Sequence, residues 1–123
     1  MRIISSPNMP KSNGHYSQCI EHNGILYLSG QLPFEPETRT MPEGIEKQTA
    51  QVLTNVESIL IEAGSCKSKV IQVRIYISNI NDWETVNKIY STFFGNHKPV
   101  RCVIPTRELH YGALIEVEVT AIE

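Results

Sequence analysis

The stretch Val70-Ile-Gln-Val-Arg-Ile-Tyr-Ile77 decides the fold. Its apolar residues recur at every second position from Ile71 to Ile77, and Gln72 and Arg74 lie between them. A period of two predicts a long strand with one buried face. Helical patterns lie on both sides of this strand in the chain, so we expect it in a sheet that helices cover.

The flanking segments have the apolar spacing of amphipathic helices. From Ile45 to Ala63, apolar residues recur at intervals of three and four, which predicts a helix with one buried stripe. From Trp83 to Phe93 the same spacing predicts a second helix, which Asn81 or Asp82 could cap. Glycines follow both segments and are natural helix stops.

The remaining elements are predicted as strands. Asn23-Gly24 is typical of a two-residue hairpin turn. In the strand after it, Tyr27, Ser29 and Gln31 are expected to share one face. The predicted strands are, in chain order, Arg2–Ile4, Tyr16–His22, Ile25–Gln31, Val70–Ile77, Val100–Ile104 and Gly112–Ile122.

The predicted element order is β-β-β-α-β-α-β-β. This order indicates an α+β fold in two layers, in which two helices cover one face of a mixed sheet of about six strands. The length of 123 residues suits a single domain spanning residues 1–123. The other sheet face has mixed polarity, and oligomerisation would cover it.

Charge and cysteine usage exclude several classes of protein. The formal net charge is −2, which is unlike the basic field of a protein that binds nucleic acid. The three cysteines, Cys19, Cys66 and Cys102, form no CxxC pair, so neither a disulfide framework nor a structural zinc site is expected. The histidines form no HxxxH pair, so no metal site is expected.

The hydropathy pattern predicts a cytoplasmic protein without a membrane segment. The N-terminus lacks the apolar segment of a signal peptide. No apolar run approaches the roughly 20 residues that a membrane-spanning helix needs.

Arg101 and Glu116 are the first candidates for chemistry. They lie on two successive predicted strands and would approach the same pocket if those strands paired as a hairpin. A guanidinium can hold a carboxylate with two hydrogen bonds, and a nearby carboxylate can orient or deprotonate a water. Such a pair, without metal or nucleophile, suits hydrolysis of an activated electrophile. The alternative is an ordinary cross-strand ion pair between the two side chains.

Four further residues are weaker candidates. Ser29 and Gly30 end a strand and could offer a hydroxyl and N–H groups, although Gly30 could equally mark a bulge. Tyr16 could contact a small ligand or belong to the core or an interface. Asn87 lies within an apolar helix and must find a partner, which could be a pocket or a loop carbonyl.

Two other side chains near these candidates have simpler explanations. Cys102 follows Arg101, but successive strand residues point to opposite faces, so a buried structural cysteine is expected. His110 lies in the turn before the last strand, and without a visible orienting partner we interpret it as a loop histidine.

Six motifs in order resemble the RidA/YjgF family, also called the reactive intermediate deaminases, over essentially the whole chain. Each motif is similar to one of the family's: Gly14-His15-Tyr16-Ser17-Gln18, Leu28-Ser29-Gly30-Gln31-Leu32-Pro33, Gln48 to Val56 with Ala63-Gly64, Val86-Asn87 with Tyr90 and Phe93-Phe94, Pro99-Val100-Arg101, and Ile115-Glu116-Val117-Glu118. Six ordered matches are far more specific than any one of them.

The resemblance implies a chorismate-mutase-like α+β fold and a homotrimer with active sites between subunits. It implies a cofactor-independent hydrolysis of 2-aminoacrylate and 2-iminobutanoate to 2-keto acids and ammonia. Arg101 would bind the substrate carboxylate, and Glu116 would position the catalytic water. The resemblance places the remaining candidates in the pocket lining: Tyr16, Ser29, Gly30 and Asn87.

The sequence also departs from the family's pattern. His15 replaces a proline, Pro105 interrupts a strand, and His110-Tyr111-Gly112 replaces a Leu-Pro-Lys type turn. These changes bear on pocket shape and substrate preference. Two other functions stay open at this point, namely a non-catalytic sensor of small carboxylates and an endoribonuclease or translation inhibitor. The acidic balance argues against the second.

Overall fold

A computed structural model describes residues 1–9 and 11–123 of the chain. Within this part, six strands and two α-helices follow one another in the predicted order. The elements are β1 (Arg2–Ile4), β2 (Cys19–His22), β3 (Ile25–Gln31), α1 (Ile45–Glu62), β4 (Val70–Ile77), α2 (Trp83–Phe94), β5 (Val100–Pro105) and β6 (Ile115–Ile122). The predicted α+β fold is confirmed.

The strands form one mixed sheet in the order β1-β2-β3-β6-β4-β5. Strand β5 runs parallel to β4, because the chain crosses over through α2 before it returns to the sheet. The other neighbouring strands are antiparallel. Strand β6 therefore lies between β3 and β4, and β5 forms an edge of the sheet.

The core lies between one face of this sheet and the two helices, as the sequence predicts. Helix α1 buries a stripe of Val52, Val56, Ile59 and Leu60, and α2 adds Val86. The alternate residues of β4 and β6 meet them from the sheet side: Val73, Ile75, Ile77, Ile115, Val117, Val119 and Ala121. The opposite sheet face carries polar and aromatic side chains and is uncovered in a single chain.

Two bulges change which residues face the core. The register of β3 against β6 shifts between Leu28 and Gln31, so Gln31 turns into the core instead of sharing a face with Tyr27. The register of β4 also shifts after Val70, and Val70 is buried where Ile71 was expected. In each case an extra residue inverts the alternation on one side of the bulge.

Two predicted strand boundaries were too early. Strand β2 begins at Cys19 rather than Tyr16. Strand β6 begins at Ile115 rather than Gly112, because residues His110–Gly112 form a 3₁₀ turn. Both shortened ends border the cavity described below.

Candidate active site

Arg101 and Glu116 lie on opposite faces of the sheet. Arg101 is paired with Val73, which is buried beneath the helices, and Glu116 is paired with Tyr76 on the uncovered face. Paired residues of neighbouring strands point to the same face. The prediction that the two side chains converge on one cleft is therefore wrong within a single chain. The reason is the strand order, since β4 lies between β5 and β6 and no hairpin joins them.

The alternative of a cross-strand ion pair between Arg101 and Glu116 is wrong for the same reason. On the uncovered face, the ion pair is formed instead by Arg74 and Glu118, whose Nη1 and Oε1 atoms are 2.8 Å apart. Those residues are direct neighbours in the β4–β6 register. Neither Arg101 nor Glu116 therefore forms an ion pair with a residue of a neighbouring strand in the described chain.

Arg101 is held by helix α2. Its Nη1 donates a hydrogen bond of 2.9 Å to Oδ1 of Asn87, so Asn87 bonds to the arginine and not to a loop carbonyl. The guanidinium carbon lies 4.7 Å from the ring centre of Tyr90 and 5.7 Å from that of Trp83. The aromatic faces stabilise a cation at this position. Among residues 1–9 and 11–123, Arg101 has no ion pair, so its remaining donors can bind an anion.

A buried hydroxyl adjoins this arginine. The Tyr90 Oη atom has no hydrogen-bond partner among the described residues, although it is shielded from solvent. Burial raises the pKa of Tyr90, and the positive charge of Arg101 acts in the opposite direction. The hydroxyl is therefore a neutral donor beside a fixed cation.

Glu116 lies against the Gly30 bulge of β3. A Cβ atom at position 30 would overlap Oε1 of Glu116, so only glycine leaves room for this carboxylate. Glu116 is half-buried, and no other described residue forms a hydrogen bond or ion pair with its side chain. Burial raises the pKa of Glu116, and the negative charge of Glu118 raises it further, whereas a charged His110 lowers it. A carboxylate with a raised pKa is a better proton acceptor than an exposed one.

A cavity of about 300 Å³ opens beside Gly30. Tyr16 lines it from the segment before β2, and His110 and Tyr111 line it from the turn before β6. Two of the predicted pocket residues, Tyr16 and Gly30, therefore meet at one cavity with Glu116 behind it. Arg101 and Asn87 meet each other elsewhere, at the β5 edge.

Ser29 does not line the cavity, but its hydrogen bonds connect two segments that do. Its hydroxyl donates to the main-chain oxygen of Gln18 over 3.2 Å, and the Gln31 amide donates to the main-chain oxygen of Ser29 over 2.9 Å. The same amide reaches Oε1 of Gln18 over 3.0 Å. This network ties β3 to the segment that carries Tyr16.

Three further side chains line the cavity or hold the segments around it, and none of them was predicted as a site residue from the sequence. Asn55 of α1 is buried, and its amide donates to the carbonyls of Leu32 and Phe34 over 3.2 and 2.8 Å. Gln48 accepts from the Leu114 N–H over 2.8 Å. A polar residue within the buried stripe of a helix is the signal for such anchors. The third, His110, has no signal beyond its place before the last strand.

The sequence predicts correctly which sheet face Cys102 lies on, but not whether it is buried. It lies on the face opposite Arg101, as the alternation predicts. It is exposed rather than buried, because β5 is an edge strand and the uncovered face has no second layer in this chain. Its burial was therefore predicted wrongly.

Neither a cluster of metal ligands nor a membrane-spanning helix occurs among residues 1–9 and 11–123. No three histidine, cysteine, aspartate or glutamate side chains gather where they could hold a metal ion. Neither helix of the described chain combines the length and apolar character of a membrane-spanning segment.

The chain resembles known proteins over its full length. The family model described as Endoribonuclease L-PSP matches residues 6–123. A RutC family protein of Aquifex aeolicus is 38% identical over 125 residues, covering 100% of both chains. The 2-iminobutanoate/2-iminopropanoate deaminase of Rattus norvegicus is 32% identical over 123 residues, covering 99% of this chain and 90% of the rat protein.

Solved structures agree in fold as well as sequence. YyfA of Yersinia pestis, a member of the conserved Rid protein family, superimposes with a TM-score of 0.95 at 44% identity and covers 99% of this chain and 98% of that one. The E. coli protein TdcF, solved with bound serine, gives a TM-score of 0.95 at 28% identity and covers 100% and 99% of the two chains. The motifs, the fold and these matches together show that the chain belongs to the RidA/YjgF family, the Endoribonuclease L-PSP family.

Proposed function

We propose that the protein is a deaminase that hydrolyses small 2-imino acids, such as 2-iminobutanoate and the imine form of 2-aminoacrylate, to 2-keto acids and ammonia. The observation that carries the proposal is Glu116, a half-buried carboxylate with a raised pKa and no described protein partner, pressed against Gly30 beside a cavity. Family membership and the name of the rat relative support the same reaction class.

The proposed reaction needs only a water, a base and a carboxylate clamp. An imine carbon is already electrophilic, so the protein has to orient its reactants rather than activate them with a cofactor. Glu116 accepts a proton from the attacking water, and the tetrahedral adduct then expels ammonia. Arg101, fixed by Asn87 and Tyr90, binds the substrate carboxylate through its free donors. The serine bound by TdcF is a small amino acid, and its carboxylate makes it a fair stand-in for such a substrate.

We infer further that each site is assembled from two subunits of a homotrimer. Because one chain places Arg101 and Glu116 on opposite sheet faces, the proposed chemistry requires Arg101 of one subunit and Glu116 of the next. The uncovered sheet face supports this arrangement, since Tyr27 and Val100 are 51% and 66% exposed there. A sheet face of this kind in so small a protein is commonly covered by another copy.

The direct test is turnover of imines made in situ. A pyridoxal-phosphate dehydratase supplies 2-aminoacrylate from serine, and keto-acid formation is followed above the spontaneous rate. We expect the protein to accelerate this step and Arg101→Ala to lose about 10²-fold or more, while the variant keeps its oligomeric mass. Binding of small carboxylates without acceleration of any imine would instead indicate a sensor, and salt-sensitive cleavage of RNA would indicate a nuclease.

The two-subunit site has its own test. Arg101→Ala and Glu116→Gln chains are each expected to be inactive alone. When they are mixed randomly in equal amounts by co-expression, any cyclic assembly pairs an intact Arg101 with an intact Glu116 at about one site in four. Activity of about a quarter of the wild-type value is therefore expected. Failure of the mixture to rise above its inactive parents would place both residues in one chain's site and contradict the arrangement.

A further inference from the structure

His110 lines the cavity that opens beside Gly30, the residue against which the Glu116 carboxylate lies. It opens the 3₁₀ turn His110–Gly112 just before β6, and its side chain lines the cavity together with Gly30 and Tyr16. It is close enough to Glu116 for its positive charge to stabilise that carboxylate. An imidazole that lines a cavity and a carboxylate that lies against its Gly30 wall can serve as an acid and a base.

The imidazole is held in place by aromatic rings. It stacks on Tyr111 with ring centres 3.7 Å apart and planes 20° from parallel, and Tyr111 meets the edge of Phe34 at 5.4 Å. Tyr111 has φ 60° and ψ 20°, a left-handed conformation that a bulky side chain rarely adopts. Strained backbone of this kind persists where the surroundings enforce it, and it is concentrated at functional sites. The strained turn places the imidazole ring at the cavity.

We propose that His110 is a catalytic residue that donates a proton to the departing nitrogen during imine hydrolysis. This inference rests on the proposed deaminase function and adds the acid that the function needs. The imine nitrogen must gain two protons to leave as ammonia, and Glu116 can return only the one proton that it takes from the attacking water. Glu116 accounts for the water's proton, and the cavity offers His110 for the nitrogen.

Glu116 and His110 together account for every proton that is transferred in the reaction. Water gives one proton to Glu116 as its oxygen bonds to the imine carbon, and the C=N π pair moves to nitrogen, which takes a proton from the His110 imidazolium. Glu116 then returns its proton to the same nitrogen, the C–N bond breaks, and its electron pair leaves with ammonia. The hydroxyl of the adduct gives its proton to His110 as the C=O bond forms. Both side chains end in their starting states.

The charged and titratable groups around His110 come from three parts of the chain. Glu116 acts on it from β6, and the next acidic residue on the same strand face, Glu118, is engaged by Arg74. Lys11 and Tyr16 line the cavity from the N-terminal segment. On its own turn the neighbour is the Tyr111 ring. Of these groups, Glu116 is the anion without an ion-pair partner in the described chain.

The test compares His110→Gln with the wild-type protein over a range of pH. Glutamine keeps a polar amide at the site but cannot transfer a proton. We expect kcat for in situ generated 2-iminobutanoate to fall about 10²-fold while KM changes less than about twofold. If His110 supplies the proton, the pH–rate profiles of the wild-type protein and of His110→Gln should differ in shape. The matched control is His22→Gln, since His22 is exposed at the end of β2 and should behave as wild type.

A second measurement does not depend on turnover. Carbon NMR of the side-chain carboxyl groups follows the titration of Glu116. Since a charged His110 lowers the pKa of Glu116, His110→Gln should raise that pKa and His22→Gln should not.

The outcomes separate the two proposals. If wild-type protein hydrolyses imines and His110→Gln keeps the same rate and pH profile, His110 is not the acid and the deaminase proposal stands. If the pKa of Glu116 is unchanged in His110→Gln, the pairing of the two groups is refuted. If the wild-type protein accelerates no imine, the deaminase proposal fails and the role of His110 fails with it.

Discussion

Replacing Gly30 with alanine should remove activity and leave the fold nearly intact. An alanine Cβ at this position would lie 3.1 Å from Cδ of Glu116 and closer still to Oε1. Gly30 is not among the residues with positive φ, so its backbone conformation is open to alanine. The substitution therefore acts on the carboxylate and not on the backbone.

The magnitude follows from the size of this overlap. To reach ordinary contact, the Glu116 carboxylate must retreat by roughly 1 Å. It is the end of a flexible side chain, so the free energy of unfolding should fall by less than about 1 kcal/mol. A reacting group displaced by about 1 Å can lose about 10²-fold in rate, and we expect that loss in kcat.

The assay combines turnover, thermal unfolding and a double-mutant cycle. If Gly30→Ala acts through the carboxylate, it should add nothing to the loss caused by Glu116→Gln. Ser58→Ala serves as the control, because it removes an exposed hydroxyl of α1 that donates to the carbonyl of Thr54, away from Glu116. Full turnover by a folded Gly30→Ala protein, or losses that simply add in the double variant, would refute the reasoning.

Three further substitutions test the stability side of the same site. Because the pKa of Glu116 is raised in the folded chain, ionisation of Glu116 lowers the stability of the fold as pH rises through that pKa. At fixed protein concentration, Glu116→Gln should therefore raise Tm near pH 7 and raise it progressively less toward about pH 4. A gain in Tm that is the same at both pH values would contradict this. Tyr90→Phe deletes a buried hydroxyl without a described partner, so Tm should stay or rise slightly; a loss of more than about 1 kcal/mol in urea unfolding would reveal a hidden partner. Asn55→Ala strips the Leu32 and Phe34 carbonyls of their donor and should cost about 1–3 kcal/mol in the same assay, and an unchanged midpoint would contradict that role.

Local patterns account for the part of the fold that was predicted correctly. The stripe of α1 and the alternation of β4 are properties of a few consecutive residues, and each repeats its own period. The errors at Gln31 and Ile71 share one cause, since a single inserted residue reverses the alternation and leaves no mark in composition. Gly30 hinted at the first bulge, whereas nothing in the sequence marks the second.

The sequence could propose site residues by side-chain chemistry but not their arrangement. The proposed pairing of the arginine and the glutamate depended on which strands become neighbours. That choice is made by the crossover through α2, which places β5 outside β4 and leaves β6 beside β3. Strand pairing over such distances is set by the whole chain, and no spacing between positions 101 and 116 reports it.

The separation of Arg101 and Glu116 on opposite sheet faces is matched by separate local support for each side chain. The Arg101 guanidinium lies at the sheet edge, and Asn87 and Tyr90 of α2 orient it there without a bound substrate. A carboxylate on the far face must stay free of a strand ion pair, and its neighbour Glu118 binds Arg74, which would otherwise be available to it. If the proposed two-subunit site forms, each half is preorganised by residues of its own chain, which would lower the cost of completing the site. On the proposed function, assembly would add to each half the single charge that it lacks.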